Sequence, residues 1–175
     1  MNPEQTIETS ETFPVEEEEV YSQPKLLILR GAPGSGKTTL ANAKFDGWTV
    51  CSADDYFIDK NGNYKFDARQ LQLAHDSCFR RTVSALEQGM NVVIDNTNKS
   101  VWEFKRYLEI PYVEIKIYRV ASQYKSTKSI PDSVIKRYND EYQPFASSWY
   151  NGTLIEAERQ VMYNKQTKQI LFKRS

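Results

Sequence analysis

The sequence predicts an α/β fold, a parallel sheet flanked by helices, and three observations predict it. Short apolar runs that suit buried parallel strands recur at 25–30 and 91–95, each bounded by polar or turn-forming residues. Segments with helical apolar spacing lie between them, the pattern of right-handed β–α–β crossovers. A glycine-rich turn joins the first apolar run to the first helix.

The elements follow in order. Residues 1–23 are acidic, hold Pro3 and Pro14, and show no apolar period, so they read as a disordered tail. The run from Lys25 to Arg30 is the first strand, Lys37 to Phe45 the first helix, and Trp48 to Cys51 the second strand. Asp67 to Gln88 places Leu71, Ala74, Cys78, Val83 and Leu86 at helical spacing, with Gly89 as a stop, and reads as the longest helix. Asn91 to Asp95 is the third strand, Val101 to Ile110 a helix ended by Pro111, and Val113 to Val120 the fourth strand. The polar, basic stretch from Ala121 to Ser129 reads as a lid-like loop. Pro131 opens a last helix carrying Ile135, Tyr138 and Tyr142. Two short apolar runs around 164–168 suggest a C-terminal β-hairpin. The expected domain organisation is an acidic tail over 1–23, one α/β domain over 24–150, and an extension over 151–175 whose hairpin packs on that domain.

A chain of 175 residues is long enough for one domain with a substantial core. Its formal net charge is zero, yet the charges are segregated: seven of the 23 acidic residues fall in the first 20 positions, where no Lys or Arg occurs. The remaining body is basic, which suits a polyanionic ligand. Two cysteines, Cys51 and Cys78, make neither a disulfide framework nor a zinc spacing and read as reduced, buried thiols. No secretory leader and no membrane-length apolar run is visible, so the expected location is intracellular, cytoplasmic or nuclear, without a membrane partner.

Three acidic or glycine-rich elements carry the chemistry. Gly31, Ala32, Pro33, Gly34, Ser35, Gly36, Lys37, Thr38 and Thr39 complete the pattern GxxxxGK followed by threonine, between a strand and a helix. In such a P-loop, backbone N–H groups converge on phosphate, the lysine reaches the β- and γ-phosphates, and Thr38 ligates Mg²⁺. The fold class sharpens to a P-loop NTPase kinase-type parallel sheet. After the second strand come Asp54, Asp55 and Tyr56, at the strand end where ligands collect in such sheets. A carboxylate there can accept the proton of an acceptor hydroxyl and orient it for in-line attack. One of the pair can equally cap a short helical turn, a role that suits Asp55. The third strand ends in Asp95, a Walker-B-like position for holding Mg²⁺, followed by Asn96, Thr97 and Asn98, which also suit a turn.

Together, GAPGSGKTT, SADDYF, the segment from Asn61 to Asp67, Ala74 with His75, and VVIDNTN resemble the polynucleotide-kinase-like branch of P-loop kinases over residues 25–145. The resemblance implies ATP and Mg²⁺ as cofactors, the 5′-hydroxyl end of DNA or RNA as substrate, and a place in nucleic-acid repair. It implies Asp54 as general base, Lys37 and Thr38 on the ATP phosphates and Mg²⁺, Asp95 on Mg²⁺, and a basic lid with Lys125 and Lys128 closing over the phosphates. Asp55, Tyr56, Arg80 and Arg81 are its candidate substrate contacts. The sequence departs from the family in two places. The lid has lysine where many members have arginine, and Phe57 stands near where phage enzymes carry a phosphate-binding arginine, so Arg80, Arg81 or Lys60 would supply that contact. Two other readings remain open: a kinase of nucleosides or sugars, and a nucleotide-binding interaction module without turnover.

Other residues have bland and functional readings side by side. His75, the only histidine, reads as packed or at the substrate edge. Tyr56, Trp102, Tyr107, Trp149 and Tyr150 have faces on which bases could stack, or belong to the core. Lys165, Lys168, Lys173 and Arg174 form a basic strip that would either track a phosphate backbone or keep an edge strand soluble.

Overall fold

The computed structural model describes residues 22–122, 130–145, 156–164 and 169–174. The acidic tail to position 21, the loop 123–129 with Lys125 and Lys128, Trp149, Tyr150, Lys165 and Lys168 lie outside the described residues.

The apolar run Leu26 to Leu29 lies in β1 (Lys25–Arg30), at the heart of the sheet. The further strands are β2 (Thr49–Cys51), β3 (Val92–Asp95), β4 (Glu114–Ser122), β5 (Glu156–Asn164) and β6 (Gln169–Arg174). Their order is β2-β3-β1-β4-β5-β6. The first four are mutually parallel, β5 runs parallel to β4, and β6 pairs antiparallel with β5. Successive side chains of a strand point to opposite faces, so Leu26 and Ile28 join one core layer while Leu27 and Leu29 join the other. Both faces of β1 are therefore covered, as an uninterrupted apolar strand requires.

The helices cover those faces. α1 (Lys37–Lys44) buries Leu40 and Ala41 beside Leu27, Leu29 and Val93. α2 (Leu71–Glu87) lays Ala74, Cys78, Ala85 and Leu86 on the other layer. The buried stripe of α2 differs from the one read in the sequence: Leu71 is 38% exposed, and His75 and Thr82 are inside. Leu71 opens the helix one turn before the stripe meets the sheet. The expected start at Asp67 is a short 3₁₀ turn, Ala68–Gln70, capped by the Asp67 carboxylate accepting from Arg69 N–H. Gly89 ends the helix with φ 76°.

The helix expected over 101–110 is only one α-turn, α3 (Val101–Phe104), continued by a 3₁₀ turn, Lys105–Glu109. The three-residue period of the tighter helix brings Phe104 and Tyr107, both fully buried, onto the same sheet-facing side. α4 (Asp132–Glu141) follows Pro131 and buries Tyr138. Among the described residues, no helix is long and apolar enough to cross a membrane.

Candidate active site

The C-terminal ends of β1, β3 and β2 lie side by side, and each delivers one of the three elements singled out in the sequence. Between β1 and α1, the loop 31–36 turns tightly. A Cβ on Gly31 would sit 2.5 Å from the Val120 carbonyl oxygen and 2.6 Å from Ser35 Oγ, so only glycine fits. Gly36 caps α1 with φ 93°, a left-handed conformation. No side chain caps that helix and no acidic residue occupies its first turn. Lys37 is buried, and its ammonium donates to the carbonyl oxygens of Gly31 (2.9 Å) and Ala32 (3.0 Å). Those bonds solvate a charge that burial alone would destabilise.

Thr38 Oγ1 donates to Asp95 Oδ2 at 2.6 Å, across from the first turn of α1 to the end of β3. A hydroxyl and a carboxylate so placed are hard oxygen donors. Among the described residues no group of three or more His, Cys, Asp or Glu could hold a metal. Two protein oxygens suit Mg²⁺, which keeps waters and phosphate oxygens as its other ligands. The phosphate side fits as well: Ser35 Oγ is buried with no hydrogen-bond partner, an orphan donor within the loop itself.

Asp54 and Asp55 sit in a 3₁₀ turn, Ala53–Phe57, directly after β2. Ser52 caps it in a reciprocal box: its Oγ accepts from Asp54 N–H at 3.2 Å, and Asp55 Oδ2 accepts from Ser52 N–H at 3.2 Å. Asp55 Oδ2 also meets Arg81 at 2.9 Å, and a second Arg81 nitrogen donates to Ser52 carbonyl oxygen at 2.6 Å. Asp55 and Arg81 thus brace the turn together. Asp54 is exposed, and Oδ1 of its carboxylate accepts from Tyr64 Oη at 3.1 Å.

Two residues hold this arrangement together in roles the sequence did not signal. Asn96, buried directly after Asp95, accepts with Oδ1 from Ala53 N–H at 2.8 Å and from Ser52 Oγ at 3.3 Å. It locks the acidic turn to the end of β3. Arg30, fully buried at the end of β1, donates to the carbonyl oxygens of Asn98 (2.8 Å), Lys99 (3.1 Å) and Gln143 (2.7 Å). Its guanidinium also lies over the rings of Phe104 (4.5 Å) and Tyr142 (4.4 Å). It joins the strand entering the P-loop to the loop after β3 and to the segment after α4. In the sequence Asn96 signals only a turn after the Walker-B-like aspartate; for Arg30 there was no signal.

The other expected residues are scattered. Tyr56 is 39% exposed and donates to Gln70 Oε1 at 3.1 Å. Arg80 is exposed on α2, and Lys60 is exposed in the loop after the acidic turn. His75 is buried with its ring 5.5 Å from that of Trp102, and burial followed by the charge of Arg106 lowers its pKa below the ordinary 6.5. Trp102 keeps half its surface exposed, whereas Tyr107 is fully buried and has no face left for a base. Cys51 and Cys78 are free and buried, and burial raises both thiol pKa values.

Comparisons with known proteins bear on this geometry. A family model described as an AAA domain matches residues 26–121, from β1 through most of β4. The chain is 40% identical over 89 residues to NEDD4-binding protein 2 of Homo sapiens, an alignment covering 49% of this chain and 5% of that protein. It thus spans a small fraction of that relative's length. A chain of the Pnkp1/Rnl/Hen1 complex superposes with a TM-score of 0.50 at 26% identity, over 69% of this chain and 41% of that one. A sugar kinase from Janibacter superposes with a TM-score of 0.55 at 14% identity, over 77% of this chain and 85% of that one, a likeness of fold.

Proposed function

The chain belongs to the AAA domain family and has a P-loop kinase fold, and from that premise we propose that it transfers the γ-phosphoryl group of ATP to the 5′-hydroxyl end of DNA or RNA, with Asp54 as general base. The observation that carries this reading is the common edge of the sheet. There Lys37 folds into its loop, Thr38 meets Asp95 at 2.6 Å, and an exposed Asp54 stands on the neighbouring strand end. The likeness to a chain of the Pnkp1/Rnl/Hen1 complex, the polynucleotide-kinase-like motifs and the basic body support a polynucleotide acceptor.

In this reading the Asp54 carboxylate takes the proton of the acceptor hydroxyl as its oxygen bonds to the γ-phosphorus. The bond from that phosphorus to the bridging oxygen of ADP breaks, and ADP carries away the electron pair. Lys37 and the P-loop N–H groups hold the phosphate oxygens, and Lys125 and Lys128 would add charge from the lid. Thr38 and Asp95 would hold Mg²⁺, which supplies neutralisation of phosphate charge.

The test is incubation with γ-labelled ATP and Mg²⁺ in the presence of 5′-hydroxyl oligonucleotides of DNA and RNA, nucleosides and sugars. The expected outcome is label on oligonucleotides, with kcat falling roughly 10²–10⁴-fold in Asp54→Ala. Label on nucleosides or sugars alone would replace this reading with that of a small-molecule kinase. ATP binding with no acceptor labelled would leave a nucleotide-binding module.

A further inference from the structure

Beside Asp54 lies a feature that phosphoryl transfer alone does not require. The chain after the acidic turn doubles back so that Tyr64 bridges Ile58 in antiparallel fashion and Lys65 N–H donates to the Phe57 carbonyl at 2.8 Å. The intervening loop is fastened by Asp59, whose Oδ1 accepts from the N–H groups of Asn61 (2.9 Å) and Asn63 (3.0 Å) and whose Oδ2 pairs with Lys65 at 2.9 Å. The Lys65 ammonium and the N–H of Asn63 hold the Asp59 carboxyl down to about 2. Tyr64 stands on that loop with 55% of its surface exposed.

The ring is held firmly. It packs edge-on to Phe57 with centroids 6.1 Å apart, and Phe57 is itself buried in the core. Its hydroxyl is bonded to Asp54 Oδ1. Among the described residues Oδ2 of Asp54 has no protein partner, so Tyr64 fixes one oxygen and leaves the other for the acceptor. An acceptor hydroxyl bound at Oδ2 would bring its molecule to the carboxylate that Tyr64 Oη meets at 3.1 Å, beside an exposed aromatic ring. In a 5′-nucleotide end, the next planar group after the ribose is the base. Aromatic faces bind bases without reading their identity, which suits an enzyme that acts on ends of any sequence.

We propose that Tyr64 is the positioning residue of Asp54 and the stacking platform for the terminal nucleobase of the acceptor, so that the site selects a base-bearing 5′ end over a bare sugar end. This rests on the reading of Asp54 as the base of a 5′-hydroxyl kinase and extends it to acceptor selection. The two roles separate by substitution. Tyr64→Phe keeps the ring and removes the hydroxyl, and Tyr64→Leu removes both while preserving apolar contact with Phe57.

The experiment uses the 175-residue chain and two 5′-hydroxyl hexanucleotides, one with 2-aminopurine at the 5′ position and one abasic there. Kinetics with labelled ATP are read beside 2-aminopurine quenching measured with a non-hydrolysable ATP analogue. Tyr64→Phe is expected to lower kcat about tenfold with KM unchanged, the scale of a hydrogen bond to a charged group. Tyr64→Leu is expected to weaken binding of the base-bearing end roughly 5- to 100-fold, the scale of one base–aromatic stack, and to leave binding of the abasic end unchanged, while kcat falls on both as in Tyr64→Phe. Equal weakening of both ends, or of neither, overturns the platform; an unchanged kcat in Tyr64→Phe overturns the positioning role. Failure of the parent reading looks different: the wild type labels neither oligonucleotide. The quenching still decides the platform in that case, since its presence in wild type and loss in Tyr64→Leu supports stacking and its absence in wild type refutes it.

Discussion

The two halves of the proposed site, one for phosphate and one for the acceptor, are built on different principles. The phosphate half, residues 31–38, uses contiguous sequence: backbone N–H groups, two left-handed glycines and one lysine solvated by its own loop. The acceptor half, residues 52–66, is held by side chains that reach it from afar, Asn96 from just after β3 and Arg81 from α2, and by Tyr64 from its own loop. Phosphate is the same in every substrate of this fold, so backbone donors suffice for it. Acceptors differ, and side chains on short 3₁₀ turns can be exchanged without disturbing the sheet. A fold shared by enzymes with unlike acceptors is what that division of labour would allow.

If the division is real, damage to the framework that carries the phosphate half should appear as global instability and damage to the acceptor half as a selective loss of turnover. The largest stability effect is expected from Arg30→Met. It keeps an unbranched side chain of moderate size but leaves the Asn98 and Gln143 carbonyls without the guanidinium and removes its contacts with two rings. Orphaned buried acceptors cost roughly 1–3 kcal/mol each, so urea unfolding should lose about 3 kcal/mol with its m-value unchanged. A loss below about 1 kcal/mol would show that the segment after α4 is not anchored to the strand entering the P-loop.

Asn96→Ala comes next and probes the seam between the halves. It strips the Ala53 N–H of its buried acceptor, which should cost about 1–3 kcal/mol. It also frees the turn that carries Asp54. The expected signature is a kcat lower by about tenfold, from lost positioning of the proposed base, with ATP affinity close to wild type. Affinity for ATP measured by calorimetry and falling in parallel with kcat would break the comparison, because it would make Asn96 part of the phosphate half.

These two residues also mark where legibility in the sequence ended. The turn 31–36 could be read because it depends on local spacing, and the placement of Asp54 and Asp95 because strand ends are predictable from apolar runs. Arg30 looked like the polar end of a strand. Its burial depends on carbonyls 68 to 113 positions further on, and no local pattern encodes them. Asn96 and Asn98 read as turn chemistry. Asn98 does take a positive φ of 44°, but the clamp made by Asn96 exists only because β2 and β3 are neighbours. Along α2 the apolar period was right and the face was offset, since Thr82 is buried by donating to the Cys78 carbonyl, a polar residue that hydropathy assigns to the surface.

The smallest effect, and the most selective, belongs to His75 on α2, outside both halves. It is the only histidine, and so the only side chain whose ordinary pKa falls between pH 5 and 8. Burial, with Arg106 adding to it and the charges of Asp76 and Asp54 opposing, lowers its pKa in the folded state. Protonation therefore favours the unfolded chain. Stability is complete above the ordinary value of 6.5 and falls as pH drops through 6.5 towards the folded value. One proton sets a ceiling of about 1.4 kcal/mol per pH unit on the slope. Urea midpoints of the wild type should decline between pH 7.5 and 5.5, while His75→Leu should flatten that decline and leave the lower-pH losses from carboxylates such as Asp76, held down by Arg106, in place. An undiminished slope in the variant would mean that His75 is solvated in the folded state, and that Trp102 beside it is not packed on a neutral ring.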